Sequence, residues 1–158
     1  MHSILERYQQ VRESIDETAS SVGRSSDEVK LVVVTKSHPA EKIKVLAEAG
    51  IWDLGENRVG EALEKIALFE KYSQIRWHMI GHIQSRKARL LGPQFHLVHS
   101  IDRLKLAKHL DTSLAESGAF LNVLLQFNVS GEESKSGWDA SHPQNWKTLL
   151  PEVEAVLL

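Results

Sequence analysis

Lys36 closes the most apolar run of the chain, Leu31-Val32-Val33-Val34-Thr35, and is followed at once by Ser37, His38 and Pro39. An uninterrupted β-branched run, here Leu31–Lys36, reads as a strand covered on both faces, the pattern of a parallel sheet in an α/β fold. Alternation along it puts Val32, Val34 and Lys36 on one face and Leu31, Val33 and Thr35 on the other. Lys36 thus continues a row of valines expected to be buried, at the strand end where α/β folds place their chemistry. Burial disfavours an ammonium, and the neutral amine is a nucleophile suited to a Schiff base with a carbonyl. The competing reading is a lysine whose head reaches water from the strand end.

Other polar groups fall at the ends of further apolar runs. Gly55-Glu56-Asn57 follows the second run, and His78 lies within the third, with Gly81-His82-Ile83-Gln84 after it. Ser100 and Asp102 follow the fourth, Asn128 and Ser130 the fifth. On a parallel sheet these ends share one rim. One amine ringed by neutral hydrogen-bonding groups suits carbonyl chemistry. Each neighbour also has a plainer role: Asp102 as a helix N-cap, Asn57 as a turn residue, Glu56 as the partner of a basic side chain.

Metal and nucleotide chemistry find less support. His78 and His82 are four apart, but Met79-Ile80-Gly81 between them lacks the glutamate of H-E-x-x-H, and the pair crosses a strand end. His96 and His99 are expected to point to opposite faces of their strand. No metal site is expected. Neither G-x-G-x-x-G nor G-x-x-x-x-G-K-[ST] occurs.

The elements that must position these groups alternate regularly. An amphipathic helix from about Ile4 to Val22 precedes five βα units. Strand 1 is followed by a helix that begins after Pro39 and runs to Gly50. The short strand Ile51–Leu54 leads to a helix from Val59 to Tyr72, and Ile75–Ile80 to a short helix from Ser85 to Leu91. Phe95–His99 leads to a helix carrying Leu106, Ala107, Leu110 and Leu114. The longest strand, Phe120–Val129, runs into the polar stretch Ser130–Gly137 and a last helix around Gln144–Leu157. Alternation of this kind argues for a parallel sheet with right-handed crossovers. Five strands suit an open doubly wound sheet, whereas a (β/α)₈ barrel needs eight and about 250 residues.

Bulk composition narrows the class. The chain has 158 residues, 42% hydrophobic and 25% charged, with a formal net charge of −2 and no cysteine. That length suits a single domain over residues 1–158. The balance of charge gives no general case for nucleic acid or an anionic membrane surface. Disulfides and thiolate chemistry are excluded, which suits a reducing cytoplasm. The N-terminal residues carry no apolar signal core, and no run of 18 apolar residues exists, so neither export nor a membrane span is expected.

Five blocks in one order carry a resemblance. They are Val34-Thr35-Lys36-Ser37-His38-Pro39, Gly55-Glu56-Asn57-Arg58-Val59, Trp77-His78-Met79-Ile80-Gly81-His82-Ile83-Gln84-Ser85, Ile101-Asp102-Arg103-Leu104-Lys105-Leu106-Ala107 and Ser134-Lys135-Ser136-Gly137. Together the chain resembles the pyridoxal phosphate homeostasis proteins, a cofactor-binding branch related to the alanine racemase barrel. The resemblance implies a (β/α)₈ TIM-barrel fold, of which this chain holds a leading helix and about five βα units. It implies pyridoxal 5′-phosphate as cofactor, held as a Schiff base on Lys36, with Asn57 and His78 lining the same cavity. It further implies a vitamin B6 carrier and regulator, with cofactor-accepting apoenzymes as partners, rather than an enzyme. Lys135 reads as a solvated lysine that could be a second aldehyde-reactive amine.

The resemblance also marks a difference of length. Family members continue for roughly three more βα units, whose loops hold the phosphate and the pyridine nitrogen. A sixth strand is expected to begin at Val153-Glu154-Ala155-Val156-Leu157-Leu158. The chain therefore reads as a fragment whose open edges at strands 1 and 5 invite self-association. A racemase on the same barrel is the enzyme alternative. It would need a second acid–base group opposite the lysine, and the two tyrosines, Tyr8 and Tyr72, lie in helical segments remote from the rim. A non-binding interaction fragment is the third reading.

Overall fold

The computed structural model describes residues 3–157. Helix α1 (Ile4–Ser21) opens with a capping box: the Ser3 hydroxyl accepts from Glu6 N–H, and the Glu6 carboxylate accepts from Ser3 N–H. This reciprocal pair satisfies two of the helix's orphan donors. The strands are β1 (Val33–Val34), β2 (Asp53–Glu56), β3 (Arg76–Met79), β4 (Leu97–Ile101) and β5 (Val123–Leu125). Between them run α2 (Ala40–Glu48), α3 (Val59–Leu68), a 3₁₀ turn at Ser85–Leu90 and α4 (Leu104–Ser117). A two-stranded ladder of β6 (Phe127–Asn128) and β7 (Trp138–Asp139) follows, and then α5 (Trp146–Leu157).

The five-stranded sheet is parallel throughout, and its strands lie in sequence order, β1-β2-β3-β4-β5. That order decides between the two architectures the alternation allowed. A doubly wound sheet reverses direction from a central strand, whereas a barrel winds steadily one way. Repeated right-handed crossovers between adjacent strands put the helices on one face. The core forms there, with Leu54, Met79 and Val98 packed against Ile43, Leu46, Ala62 and Leu106. The chain is a partial barrel with its inner face open.

Several expected boundaries shift. Strand 1 is two residues long rather than Leu31–Lys36, lengthened only by the bond from Thr35 N–H to the Gly55 carbonyl at 2.9 Å. Val32, Val34 and Lys36 do not form a buried row. They lie on the face away from the helices, where Val34 is 43% exposed and Lys36 is exposed. β2 sits two residues later than expected, so Gly55 and Glu56 belong to the strand, because pairing with β3 continues to Glu56↔Met79. β4 likewise extends to Ser100 and Ile101. Helix α3 stops at Leu68, leaving Tyr72 in the following turn.

The long fifth strand breaks in two. Val123–Leu125 pairs with β4, and Gln126 N–H still donates to the Ile101 carbonyl at 2.7 Å; Phe127–Asn128 then leaves the sheet to pair with Trp138–Asp139. Gly137 permits this change of partner: its φ is +129°, and a Cβ there would lie 2.6 Å from Asn128 N. The Val153–Leu157 segment, expected to start a strand, is the last turn of α5; Leu158 lies outside the described residues.

Candidate functional site

Lys36 stands in the turn between β1 and α2. The register that pairs Val33 with Leu54 and Val34 with Gly55 carries Lys36, two residues on, to the level of Asn57. Among the described residues the structure gives the Lys36 ammonium no hydrogen bond or ion pair. Gly55 lies on the same face, where a Cβ would meet Val32 Cγ1 at 3.2 Å and Ile80 Cδ1 at 3.3 Å. Half-buried Val32 and Ile80 thus close over a residue without a side chain, giving a low apolar patch on that face.

Asn57 is packed onto the next turn. A Cβ on Gly81 would lie 2.1 Å from the Asn57 carbonyl oxygen and 2.2 Å from its Oδ1, so only glycine lets the two turns touch. Ser100 continues the row: its buried hydroxyl donates to the Gly81 carbonyl at 2.6 Å. The rim turns of β2, β3 and β4 therefore lock together in order.

His78 lies deeper. It pairs with Gly55, two residues below the Asn57 level, which is about 6–7 Å along the strand. Its ring is nearly sealed and already engaged. Nε2 donates to Asp53 Oδ1 at 3.0 Å, and Nδ1 accepts from His99 Nε2 at 2.9 Å, which fixes the tautomer of both rings. Arg76 completes the network with a two-pronged pair to the Asp53 carboxylate. Burial would raise the Asp53 carboxyl, but the Arg76 guanidinium and the His78 ring outweigh it and hold it at about 2. Burial lowers His78, against the opposing pull of Asp53, and burial alone lowers His99. Both rings are neutral near pH 7. Lys36 and Asn57 thus both lie just past the ends of neighbouring strands, and His78 lies within β3, inside a separate network.

His96 and His99 do not point apart as strand alternation suggested. Both rings pack on His78, with centroids 5.4 and 5.2 Å away. His96 precedes β4, so the two-residue period does not govern it. Asp102 does not cap α4, whose N-cap is Arg103. Its carboxylate takes His82 Nδ1 at 2.9 Å and the Arg103 guanidinium. Ser136 Oγ lies 3.2 Å from that same His82 nitrogen, which ties the 130–137 loop to the end of β3. Lys135 in that loop is exposed.

The largest unforeseen feature lies behind the lysine turn. Lys65, buried on α3, spends all three of its donors: on the Thr35 carbonyl at 2.8 Å, Glu56 Oε1 at 2.7 Å and Glu61 Oε1 at 2.8 Å. Glu56 Oε1 also accepts from Thr35 Oγ1 at 2.6 Å, and Glu61 Oε1 from Ser37 N–H at 2.7 Å. Burial would lower the Lys65 ammonium, but the hydrogen bonds from Glu56 and Glu61 outweigh it and raise it. Contact with Lys65, and then with Ser37 N–H, lowers the Glu61 carboxyl. A signal for Lys65 was present. It falls three residues after Ala62 and four before Phe69, on the stripe that α3 buries.

A partly enclosed cavity of about 290 Å³ lies elsewhere, between α4, β5 and α5, among Leu110, Leu114, Leu121 and Val156. The candidate residues Lys36, Asn57 and His78 lie at the open face instead. No group of three or more His, Asp or Glu among the described residues is arranged to hold a metal ion, and no described helix is long and apolar enough to cross a membrane.

Fold and rim together define a class: a singly wound parallel βα sheet with a lysine, unpartnered among the described residues, where its first strand ends. The chain belongs to the alanine racemase N-terminal domain family, which matches residues 8–156. It is 40% identical over 139 residues to the pyridoxal phosphate homeostasis protein of Escherichia coli K12, and 43% identical over 137 residues to that of Pseudomonas aeruginosa. Each match covers 87% of this chain and 59% of the relative, so the chain spans about three fifths of their length. Among solved structures it is similar to PipY of Synechococcus elongatus. The form without PLP has a TM-score of 0.73 at 34% identity, over 90% of this chain and 65% of PipY. The form with PLP bound has a TM-score of 0.68 at 34% identity, over 88% and 63%.

Proposed function

We propose that this chain binds pyridoxal 5′-phosphate through Lys36 and serves as a cytoplasmic vitamin B6 carrier that passes the cofactor to apoenzymes. One observation carries the reading: exposed Lys36 follows the end of β1 with no protein partner among the described residues, and the Val32–Gly55–Ile80 patch lies on the same strands. An amine without a competing partner suits an aldehyde, and a low apolar patch suits the face of a flat heteroaromatic ring. When bound, the cofactor supplies an aldehyde and an electron-withdrawing ring. The residues of this chain do the rest. Lys36 provides the attachment nitrogen. Asn57 presents an amide beside it, and Val32 and Ile80 shield one side from water. His78, neutral and held by Asp53 and His99, gives a fixed polar floor below.

The names of the curated relatives and the PLP-bound PipY structure support this reading. A carrier is favoured over a racemase because Tyr8 and Tyr72 both pack against the core, away from the open face. Exposed Val34, Val123 and Leu124 near the sheet margins favour association of two copies through those strands.

The test is borohydride reduction after incubation with pyridoxal phosphate, followed by peptide mass mapping. Lys36 is expected to carry the label, with Lys135 and the other lysines spared. Lys36→Ala is expected to abolish the bound-cofactor absorbance while leaving the far-ultraviolet circular dichroism unchanged. Full absorbance in that variant would overturn the assignment.

A further inference from the structure

We propose that Glu61 and Lys65 are positioning residues for Lys36: a buried ion network grips the backbone on both sides of the lysine and leaves only its side chain free. The proposal deepens the cofactor reading above and rests on it for its functional consequence. Lys36 is flanked by Thr35 and Ser37, and both are tied to the same network. The Thr35 carbonyl accepts from Lys65 Nζ, its hydroxyl donates to Glu56, and its N–H donates to the Gly55 carbonyl. Ser37 N–H donates to Glu61. Ser37 is the one described residue other than glycine with a positive φ, +59°. A serine in that region is disfavoured and needs its surroundings to hold it.

The geometry of Glu61 argues for purpose beyond helix capping. Glu61 is the third residue of α3, after N-cap Arg58. A glutamate there commonly turns back to the N-cap N–H of its own helix. Glu61 instead reaches a backbone amide 24 residues away and shares the same oxygen with Lys65. Lys65 in turn has no donor left over, so its charge and all its hydrogen bonds are committed to the turn and to the two glutamates that hold it. The network lies on the helix side of the sheet, opposite the open face, so it acts on Lys36 only through the backbone.

Glu61 is the better handle for a test because it is only half-buried, and its loss leaves Lys65 paired with Glu56. The full chain would be compared with Glu61→Ala and Glu61→Gln by two readouts: hydrogen exchange at the Ser37 amide, and the rate at which pyridoxal phosphate labels Lys36 relative to Lys135. Glu61→Ala is expected to remove Ser37 protection and to slow Lys36 labelling by about tenfold or more, with Lys135 and the far-ultraviolet spectrum unchanged. Glu61→Gln, which keeps an acceptor oxygen, is expected to restore most of both. Unchanged Ser37 protection, or unchanged Lys36 labelling, in Glu61→Ala would overturn the proposal. If the unsubstituted chain takes no label at Lys36 yet protects Ser37 through Glu61, the grip on the turn stands. The cofactor reading falls instead.

Discussion

Two charged networks lie back to back across the first strands of this sheet, and they are built for different conditions. On the helix side, Lys65 joins Glu56, Glu61 and the Thr35 carbonyl. On the open side, Asp53 joins Arg76, His78 and His99. In the first, Lys65 has every donor used, and its contacts raise Lys65 and lower Glu61, which favours the charged form of each. The buried Glu56 Oε2 has no hydrogen-bond partner among the described residues. The second contains two imidazoles that burial keeps neutral, beside a carboxylate that stays charged. The side of the sheet that carries the proposed chemistry therefore holds the imidazoles, whose titration lies below their ordinary value, and the side that holds the lysine turn has none.

The sharpest way to break this contrast is Lys65→Met. Removing one partner from a buried ion pair leaves the other uncompensated, so the variant is expected to lose about 3–5 kcal/mol of stability. The urea midpoint would report it at any pH between 6 and 8. A loss below about 1 kcal/mol would mean the helix-side network carries little of the fold.

Asp53→Asn comes next. A carboxyl ordinarily near 3.8 and held at about 2 binds its proton less readily folded than unfolded. That contribution is fully present above pH 4, of about 2 kcal/mol, and is lost as pH falls toward 2. The variant is expected to be less stable at neutral pH and to show a shallower decline between pH 4 and 2 in thermal unfolding. Parallel declines would show that Asp53 is not the group responsible.

The smallest effect is expected from His99→Leu, which takes the donor from His78 Nδ1 and should cost about 1 kcal/mol. Both rings titrate below their ordinary 6.5 when folded, so the unfolded chain binds protons first as pH falls. Stability is therefore expected to drop as pH falls below 6.5, and the drop should be gentler in His99→Leu. A series of urea midpoints between pH 7 and 5 measures it.

Much of the architecture was legible because it rests on local periodicity. The order of helices and strands followed from apolar runs and glycine stops, and Lys36 and Asn57 fall at strand ends as their positions after valine and glycine runs suggested. What periodicity did not carry was exposure. Val34 read as buried because a β-branched run normally lies between two layers, but here helices cover only one face; exposed Lys36 matches the reading of a lysine whose head reaches water. Nor could it carry the networks. Asp53, Arg76 and His78 meet across strands 23 to 25 residues apart, and the Lys65 contacts join α3 to the turn after β1 and to the end of β2. The alternation of Arg76 with His78 on one face was the available clue. The switch of Phe127–Asn128 to a new partner escaped because it depends on a later segment, Trp138–Asp139, arriving beside it.

The sequential strand order has a consequence for how the chain is made. Each strand pairs with the one just before it, across 21 residues for Val33 and Leu54, 23 for Leu54 and Trp77, 19 for His78 and Leu97, and 25 for Val98 and Val123. The entropy of closing such loops changes only slowly with length, so every addition costs about the same. Among the described residues, each pairing within the sheet is made with the strand just before it. A chain leaving the ribosome can add its βα units one at a time, each onto a surface already formed, and the turn carrying Lys36 is gripped once α3 has emerged.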